Sequence, residues 1–379
     1  MARLGDVCTI VSGSTPKSNV PEYWDGDIKW ITPAELNEGS YIIHDSVRHI
    51  TGLGVEKTGL KPFPKGTVIL SSRAPIGKTA IAGCEMYCNQ GFKNLICSDK
   101  IDPRYLYWFL SAKTDYLNSL GRGATFKEIS KEIVANIEIP LPPIPEQIAI
   151  AERLQKTSNV ISLRKEQLAK LDELVKARFV EMFGDVDYPS VALIDLISEG
   201  AGLSYGIVVP GDNAEDGIPM IRPSDFINDV LCLEKVYKVT PEIEKKYART
   251  RLIGDEILVQ VIGQPGQIML SDSRCKGMNV TRNLAVVRPN HAKVNRIYLK
   301  TYMQTQDAQM FMLGETKQST LKQLPLSRLK ELPILLPPIA LQEQYADFVE
   351  QSAKSKLTIQ ASLDKLEVME KALMQEYFG

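Results

Sequence analysis

The 379-residue sequence lacks most of the features that mark an enzyme or a membrane protein. No run approaches the roughly 18 apolar residues of a spanning helix, and Met1–Ile10 lacks the charged-then-apolar layout of a signal peptide. Six cysteines without paired spacing suit a reducing cytoplasm rather than a disulfide framework. Cys84, Cys88 and Cys97 miss the spacing of a zinc site and read as small buried side chains. The histidines, His44, His49 and His291, are too few and scattered for a metal cluster, so no metal is expected. Gly77-Lys78-Thr79 looks like the tail of a phosphate-binding loop, but Ser72 stands where that loop needs its first glycine and Pro75 interrupts the donors. GxSxG, HExxH, a glycine-rich cofactor loop and an Asn-Pro-Pro-aromatic motif are all missing, so no catalytic residue is assigned. An excess of one charge is missing too. Lys+Arg count 45 against 46 Asp+Glu, which at first sight argues against nucleic acid as a partner.

What is present is a duplication. Residues 125–184 align without a gap onto 320–379, with 17 identities in 60 positions. They include Thr125/Thr320, Lys127/Lys322, Leu141-Pro142-Pro143-Ile144 against Leu336-Pro337-Pro338-Ile339, Gln147/Gln342, and Phe183-Gly184 against Phe378-Gly379. The second copy runs to the last residue and is expected to be complete. Upstream, Asp27–Pro33 echoes Gly217–Pro223, and Lys93-Asn94-Leu95 echoes Arg282-Asn283-Leu284. A period near 190 is too long for a solenoid, so two tandem domains in a pseudo-twofold relation are expected.

The double prolines stop one element and start another. Beyond the first, after Pro145, roughly 146–182 is free of Gly and Pro, with Leu154, Ile161, Leu168, Val175 and Met182 seven apart and Leu171 beside them. The second copy keeps Ile359, Leu366 and Leu373, with Leu363 between. This predicts two long amphipathic helices, each about 38 residues and about 55 Å, paired as a coiled coil. The variable halves hold Val/Ile-rich runs at Thr67–Leu70, Thr79–Ala82, Asp255–Ile262 and Leu284–Val287, with helical stretches near Pro103–Leu120 and Asn295–Leu313. Each is expected to be a mixed α/β globule.

Three further motifs carry a resemblance: Leu4-Gly5-Asp6-Val7 with Ser12-Gly13-Ser14-Thr15-Pro16, Ile28-Lys29-Trp30-Ile31-Thr32-Pro33, and Arg73-Ala74-Pro75-Ile76-Gly77-Lys78. With the repeated Leu-Pro-Pro-Ile and helix segments, the chain resembles the specificity (S) subunits of type I restriction–modification enzymes over essentially its whole length. The resemblance implies an α+β fold with two target-recognition domains, at 1–140 and 185–330. Two conserved regions, 141–184 and 331–379, would hold the spacer helices, paired as an antiparallel coiled coil. It further implies a non-catalytic subunit whose two domains each read one half of a split duplex DNA target. Two methyltransferase (M) subunits would dock on it, bringing S-adenosylmethionine, and motor-nuclease (R) subunits would complete the enzyme. A protein–protein scaffold carrying two adaptor domains on a helical spacer is the competing reading.

Charge by segment restores DNA as a partner. Lys57–Gly83 and Ser273–Thr301 hold five and seven basic side chains with no acid, at corresponding places of the two halves. Phosphate contact needs such cations, and base reading needs Arg, Lys, Asn, Gln, Ser or Thr on loops or helix ends. The first-half candidates are Lys29, Thr32, Arg73, Lys78, Asn89, Gln90, Lys93 and Arg122. The second-half candidates are Arg222, Ser224, Gln260, Gln264, Arg274, Lys276, Asn279, Thr281, Arg282, Lys317 and Gln318. The second half has Gln264-Pro265-Gly266-Gln267 where the first has Ala74-Pro75-Ile76-Gly77, so the two half-sites are expected to differ.

Overall fold

β-Branched side chains pack well on a pleated surface, and Gly/Pro turns separate the runs that carry them. The computed structural model describes residues 1–379 except 38, 74, 124–126, 185, 228–229 and 315–322. Two compact units emerge, 1–167 with 359–379, and 168–358. The first contains β1 (Cys8–Val11), β2 (Trp24–Ile31), β3 (Ile42–Ile43), β4 (Arg48–Ile50), β5 (Val68–Leu70), β6 (Thr79–Ala82), β7 (Tyr87–Cys88) and β8 (Asn94–Cys97). They form a sheet of order β1–β8–β5–β6–β3 and a second of order β4–β2–β7. In β5, Val68 and Leu70 face a core with Tyr105, Leu106 and Phe109, while Ile69 faces Phe63, Ala80 and Phe92. The period of two thus buries both faces of the strand.

The helical stretch expected over 103–120 is two helices, α1 (Pro103–Ala112) and α2 (Thr114–Ser119). Asp102 caps α1 by accepting the N–H groups of Arg104 and Tyr105, with Pro103 in the first turn. The break follows from local competition: the Thr114 hydroxyl donates to Ser111 O at 3.0 Å. The chain then enters α3 (Ile144–Phe183), 40 residues or about 60 Å long.

The second unit repeats the plan with β9 (Ser204–Tyr205), β10 (Ile218–Ile221), β11 (Tyr237–Val239), β12 (Ile257–Gln260), β13 (Ile268–Leu270), β14 (Asn279–Val280) and β15 (Leu284–Val287). The orders β9–β15–β12–β13 and β11–β10–β14 match those of the first unit, without a counterpart of β3 among the described residues. Ile257 and Val259 face one core and Leu258 the other. α4 (Arg296–Met303) and α5 (Gln306–Leu313) divide the second expected helix, because Thr305 caps α5 by accepting Ala308 N–H. α6 (Ile339–Phe378) again has 40 residues.

Each long helix contributes to both units. In the first, the Arg153 guanidinium donates to Tyr377 OH at 2.7 Å and Lys165 pairs with Glu367 at 2.9 Å, so the partner number falls as the helix advances. In the second, Lys356 pairs with Asp172 and Tyr345 OH reaches Val175 O. Both pairings are antiparallel. Leu154, Ile161 and Leu363 are buried in the first unit, with Ile359, Leu366 and Leu373 half-buried. Leu168, Leu171 and Val175 are half-buried in the second.

The repeated residues have repeated work. Gln147 and Gln342 are both fully buried. Gln147 donates to Pro142 O at 2.8 Å and accepts Asp102 N–H at 2.9 Å. Gln342 donates to Pro337 O at 2.8 Å and accepts Asn295 N–H at 2.9 Å. One carboxamide therefore ties the proline linker back to the N-cap of an earlier helix, Asp102 in the first unit and Asn295 in the second. Tyr105 OH donates to Pro140 O at 2.9 Å, and Tyr298 OH to Leu335 O at 2.7 Å. Phe378 packs against Tyr105 at 5.3 Å and Phe183 against Tyr298 at 4.9 Å between ring centroids. The end of each long helix is thus an aromatic plug in the unit where it finishes.

Candidate nucleic-acid interface

β2 and β7 run parallel, pairing Trp30 with Tyr87 and Ile31 with Cys88, so both leave the sheet at the same end. Asn89 N–H returns to Ile31 O, and Ser14 N–H to Cys88 O at 3.1 Å. Ser72 N–H reaches Gly91 O at 2.7 Å, and Ile129 N–H reaches Ser72 O at 3.0 Å. Five loops, near residues 14, 32, 72, 90 and 129, are gathered at one edge. The second unit builds the same junction: Thr281 N–H to Ile221 O, Ile207 N–H to Val280 O, Val261 N–H to Asn283 O, and Leu324 N–H to Val261 O. Gly13 and Gly206 are where the first loop crosses this junction. A Cβ there would lie 1.8 Å from Cys88 O and 2.0 Å from Val280 O, which excludes any other residue.

This frame corrects two sequence alignments. Trp30↔Tyr87 and Met220↔Asn279 are equivalent pairs, which places Arg282 at the position of Gln90 and Ala285 at that of Lys93. The likeness of Lys93-Asn94-Leu95 to Arg282-Asn283-Leu284 is therefore three residues out of register. In the other loop, Gly77 N–H bonds Ser71 O and Gly266 N–H bonds Gln260 O. Gly77 and Gly266, with φ of 94° and 92°, are the true match, one residue away from the alignment of prolines.

In the first unit the structure brings together Thr32, Arg73, Asn89, Gln90, Lys93 and Arg122. Thr32 is engaged by Glu35, which accepts both its N–H and its hydroxyl. Asn89 accepts Gly91 N–H at 2.9 Å, and exposed Gln90 accepts the Thr15 hydroxyl at 2.5 Å. Arg73 Nε donates to Glu128 at 2.9 Å, and Lys93, only 7% exposed, donates to the other oxygen of Glu128 at 3.0 Å. Burial would raise the Glu128 carboxyl pKa, but these two cations hold it below the ordinary value. Arg122 is exposed and pairs with Glu128 through the backbone. Lys29 and Lys78 are turned to backbone oxygens, those of His44 and Leu36.

In the second unit Arg222, Ser224, Gln260, Gln264, Thr281 and Arg282 lie on the matching loops. Arg222 pairs with Asp225 at 3.0 Å and lies over the Tyr237 ring. Ser224, Gln264 and Arg282 are exposed, and Thr281 is half-buried. Gln260 is buried; its amide donates to Ile262 O at 2.9 Å and its oxygen has no partner among the described residues. Asn279 is different: its carboxamide serves Thr250, Val280, Glu244 and Tyr247 inside the core. Arg274 and Lys276 lie in the turn after β13, at the end where β12 begins, away from the loop cluster; Arg274 is held by Asp272 at 2.7 Å. Lys317 and Gln318 lie outside the described residues.

The acid-free runs are also less free than they read. Across 273–301, Arg288 pairs with buried Glu256 and Arg296 with Asp255, while Lys293 donates to Asp195 O. Acids distant in sequence neutralise much of the run, leaving Lys276 and Arg282 among its exposed cations without a described side-chain partner. Sequence reasoning missed Glu128, Glu35 and Asp225, the carboxylates that orient the candidates. Their signal was weak, since an isolated acid in a polar loop has no periodicity. No group of metal-ligating side chains occurs among the described residues, and no described helix is long and apolar enough to cross a membrane.

Comparison with known proteins agrees with this duplicated plan. The family model for the type I restriction modification DNA specificity domain matches residues 1–173 and again 211–368. The MjaIX specificity subunit of Methanocaldococcus jannaschii is 39% identical over 188 residues, 49% of this chain and 44% of the relative. The EcoBI specificity subunit of Escherichia coli is 25% identical over 281 residues, 67% of this chain and 59% of the relative. The aligned parts thus span about half the length of these curated relatives. The S subunit from M. genitalium superposes with a TM-score of 0.60 at 15% identity, covering 100% of this chain and 95% of that one, a likeness of fold. With both repeats matched, the chain belongs to the type I restriction–modification DNA specificity family.

Proposed function

We propose that this chain is the non-catalytic sequence-reading subunit of a type I restriction–modification enzyme, each unit reading one half of an asymmetric, split duplex target. The observation that carries the reading is the duplicated loop junction: one backbone frame, built twice, presents different polar side chains at equivalent positions. Gln90 in one unit stands where Arg282 stands in the other. Different donors and acceptors read different base edges, so two half-sites of different sequence follow. Residues 1–140 and 185–330 would be the recognition domains, and 141–184 and 331–379 the conserved regions. The antiparallel helices would set the spacing between half-sites, as dimer geometry does for other DNA readers. Methyltransferase subunits, carrying S-adenosylmethionine, would dock on these helices, where Leu163, Leu174, Leu357 and Val368 are exposed apolar side chains. Motor-nuclease subunits would add cleavage.

The test is binding by the chain in complex with its methyltransferase partners. One split duplex should bind far better than scrambled DNA, with affinity falling steeply as salt rises. Equal binding to every duplex at moderate salt would favour the scaffold reading instead.

A further inference from the structure

We infer that Arg73 reads a guanine in the half-site of the first unit, with Glu128 as the residue that positions it. The inference rests on the DNA-reading function proposed above and names one base-reading group within it. Among the first-unit candidates, Lys29, Lys78 and Lys93 spend their ammonium groups on internal acceptors. Arg122 is exposed but held by no described side-chain contact. Arg73 combines the two needed properties, being 45% exposed and yet oriented.

Its orientation is built in two steps. Glu128 accepts Arg73 Nε–H through one oxygen at 2.9 Å. Its other oxygen is pinned by Lys93 at 3.0 Å, and Lys93 also lies 3.3 Å from Ser72 Oγ. Arg73 and Glu128 are further joined by a backbone bridge. The contact uses Nε, so the Nη1/Nη2 edge stays uncommitted among the described residues. Arg274 contrasts with it, because Asp272 takes both its Nε and its Nη2. Two parallel N–H donors at a fixed angle match the O6 and N7 acceptors of guanine in the major groove; adenine offers N7 but sets an N6 donor against the second arm. Two cations against one carboxylate leave the trio net positive, which suits the field of the phosphates.

The second unit lacks this device. The positions of Arg73, Lys93 and Glu128 are taken by Ile262, Ala285 and Gln323, and Ile262 bridges Gln323 as Arg73 bridges Glu128. The guanine contact is therefore specific to one half of the target.

The experiment uses the complete complex of this chain with its methyltransferase subunits, acting on a randomised duplex library whose methylated adenines are then mapped. The wild-type chain should mark a split motif with a G·C pair in one half. Arg73→Lys, which leaves the Lys93–Glu128 bond in place, should cut discrimination at that pair about tenfold or more. Glu128→Gln should relax the same pair less, and both variants should leave the other half-site unchanged. Thermal melting of each variant checks that the fold is retained. An unchanged motif with uniformly weaker modification would make Arg73 a phosphate contact and overturn the inference. So would a motif whose halves both lack guanine. A wild-type chain that marks no split motif would overturn the underlying function itself.

Discussion

The two units share a frame and differ in where they bury charge. Both keep a glycine at the loop crossing, a buried glutamine behind the proline linker, and a tyrosine against an aromatic helix end. The second unit adds two almost fully buried carboxylates, Glu244 and Glu256, at 1% and 0% exposure. The first unit has no carboxylate so buried among the described residues; its charged trio of Arg73, Lys93 and Glu128 stands at the loop edge. Positions that hold the frame together are conserved between the repeats of this one chain, while charge placement is free to vary. Under the proposed function, such a duplicated protein would change what it reads without rebuilding what supports it.

The largest effect should come from breaking the shared frame on one side. Phe378→Ala empties an aromatic site in the first unit and should cost about 3–5 kcal/mol, with Phe183→Ala doing the same to the second. Hydrogen exchange should show each loss concentrated in its own unit; equal loss in both would mean that the aromatic plugs do not act separately.

Acid should expose the contrast in charge. The Arg251 hydrogen bond holds the Glu244 pKa low. Burial would raise that of Glu256, but the N–H groups of Ile253, Asp255 and Gly254 with the Ser271 hydroxyl keep it low. Both folded values lie below the unfolded one, so their stabilisation is present above the ordinary carboxylate range and lost as pH falls through the depressed values. The second unit should lose amide protection first on acidification. Simultaneous loss in both units would remove the contrast.

The spacer is tested by adding four residues after Leu168 and after its match, Leu363. About 6 Å of added helix corresponds to about two base pairs, so the preferred gap between half-sites should widen by that amount. An unchanged gap in the methylated motif would end the ruler idea. The smallest effect concerns single buried bonds: Tyr105→Phe and Tyr298→Phe should each lower stability by about 1 kcal/mol in chemical denaturation. A neutral result for either would show that water replaces that bond.

Much of this frame was legible in the sequence. The helix at 144–183 was announced by the missing Gly and Pro after Pro145 and by the seven-residue spacing of Leu154, Ile161 and Leu168. The four Val/Ile runs became strands at 68–70, 79–82, 257–260 and 284–287. The loop register was not legible, because it depends on strand pairs only two residues long joining segments far apart in sequence, such as Ile31 with Cys88. Local likeness between Lys93-Asn94 and Arg282-Asn283 pointed elsewhere. Asn279 read as a loop residue for the same reason: nothing nearby in the chain revealed that Thr250 and Glu244 would consume its carboxamide.

The central claim is that each unit reads its own half of the target on an interchangeable frame. In both units the variable part enters and leaves through one antiparallel pair, Ala2–Arg3 with Glu138–Ile139 and Ser190–Ala192 with Pro333–Leu335. A chain in which residues 193–332 replace 4–137 between those strands, assembled with methyltransferase subunits, tests the claim most directly by mapping methylated adenines. The account predicts a motif made of two copies of the half-site read by the second unit. A motif that still contains the half-site of the removed segment would contradict it.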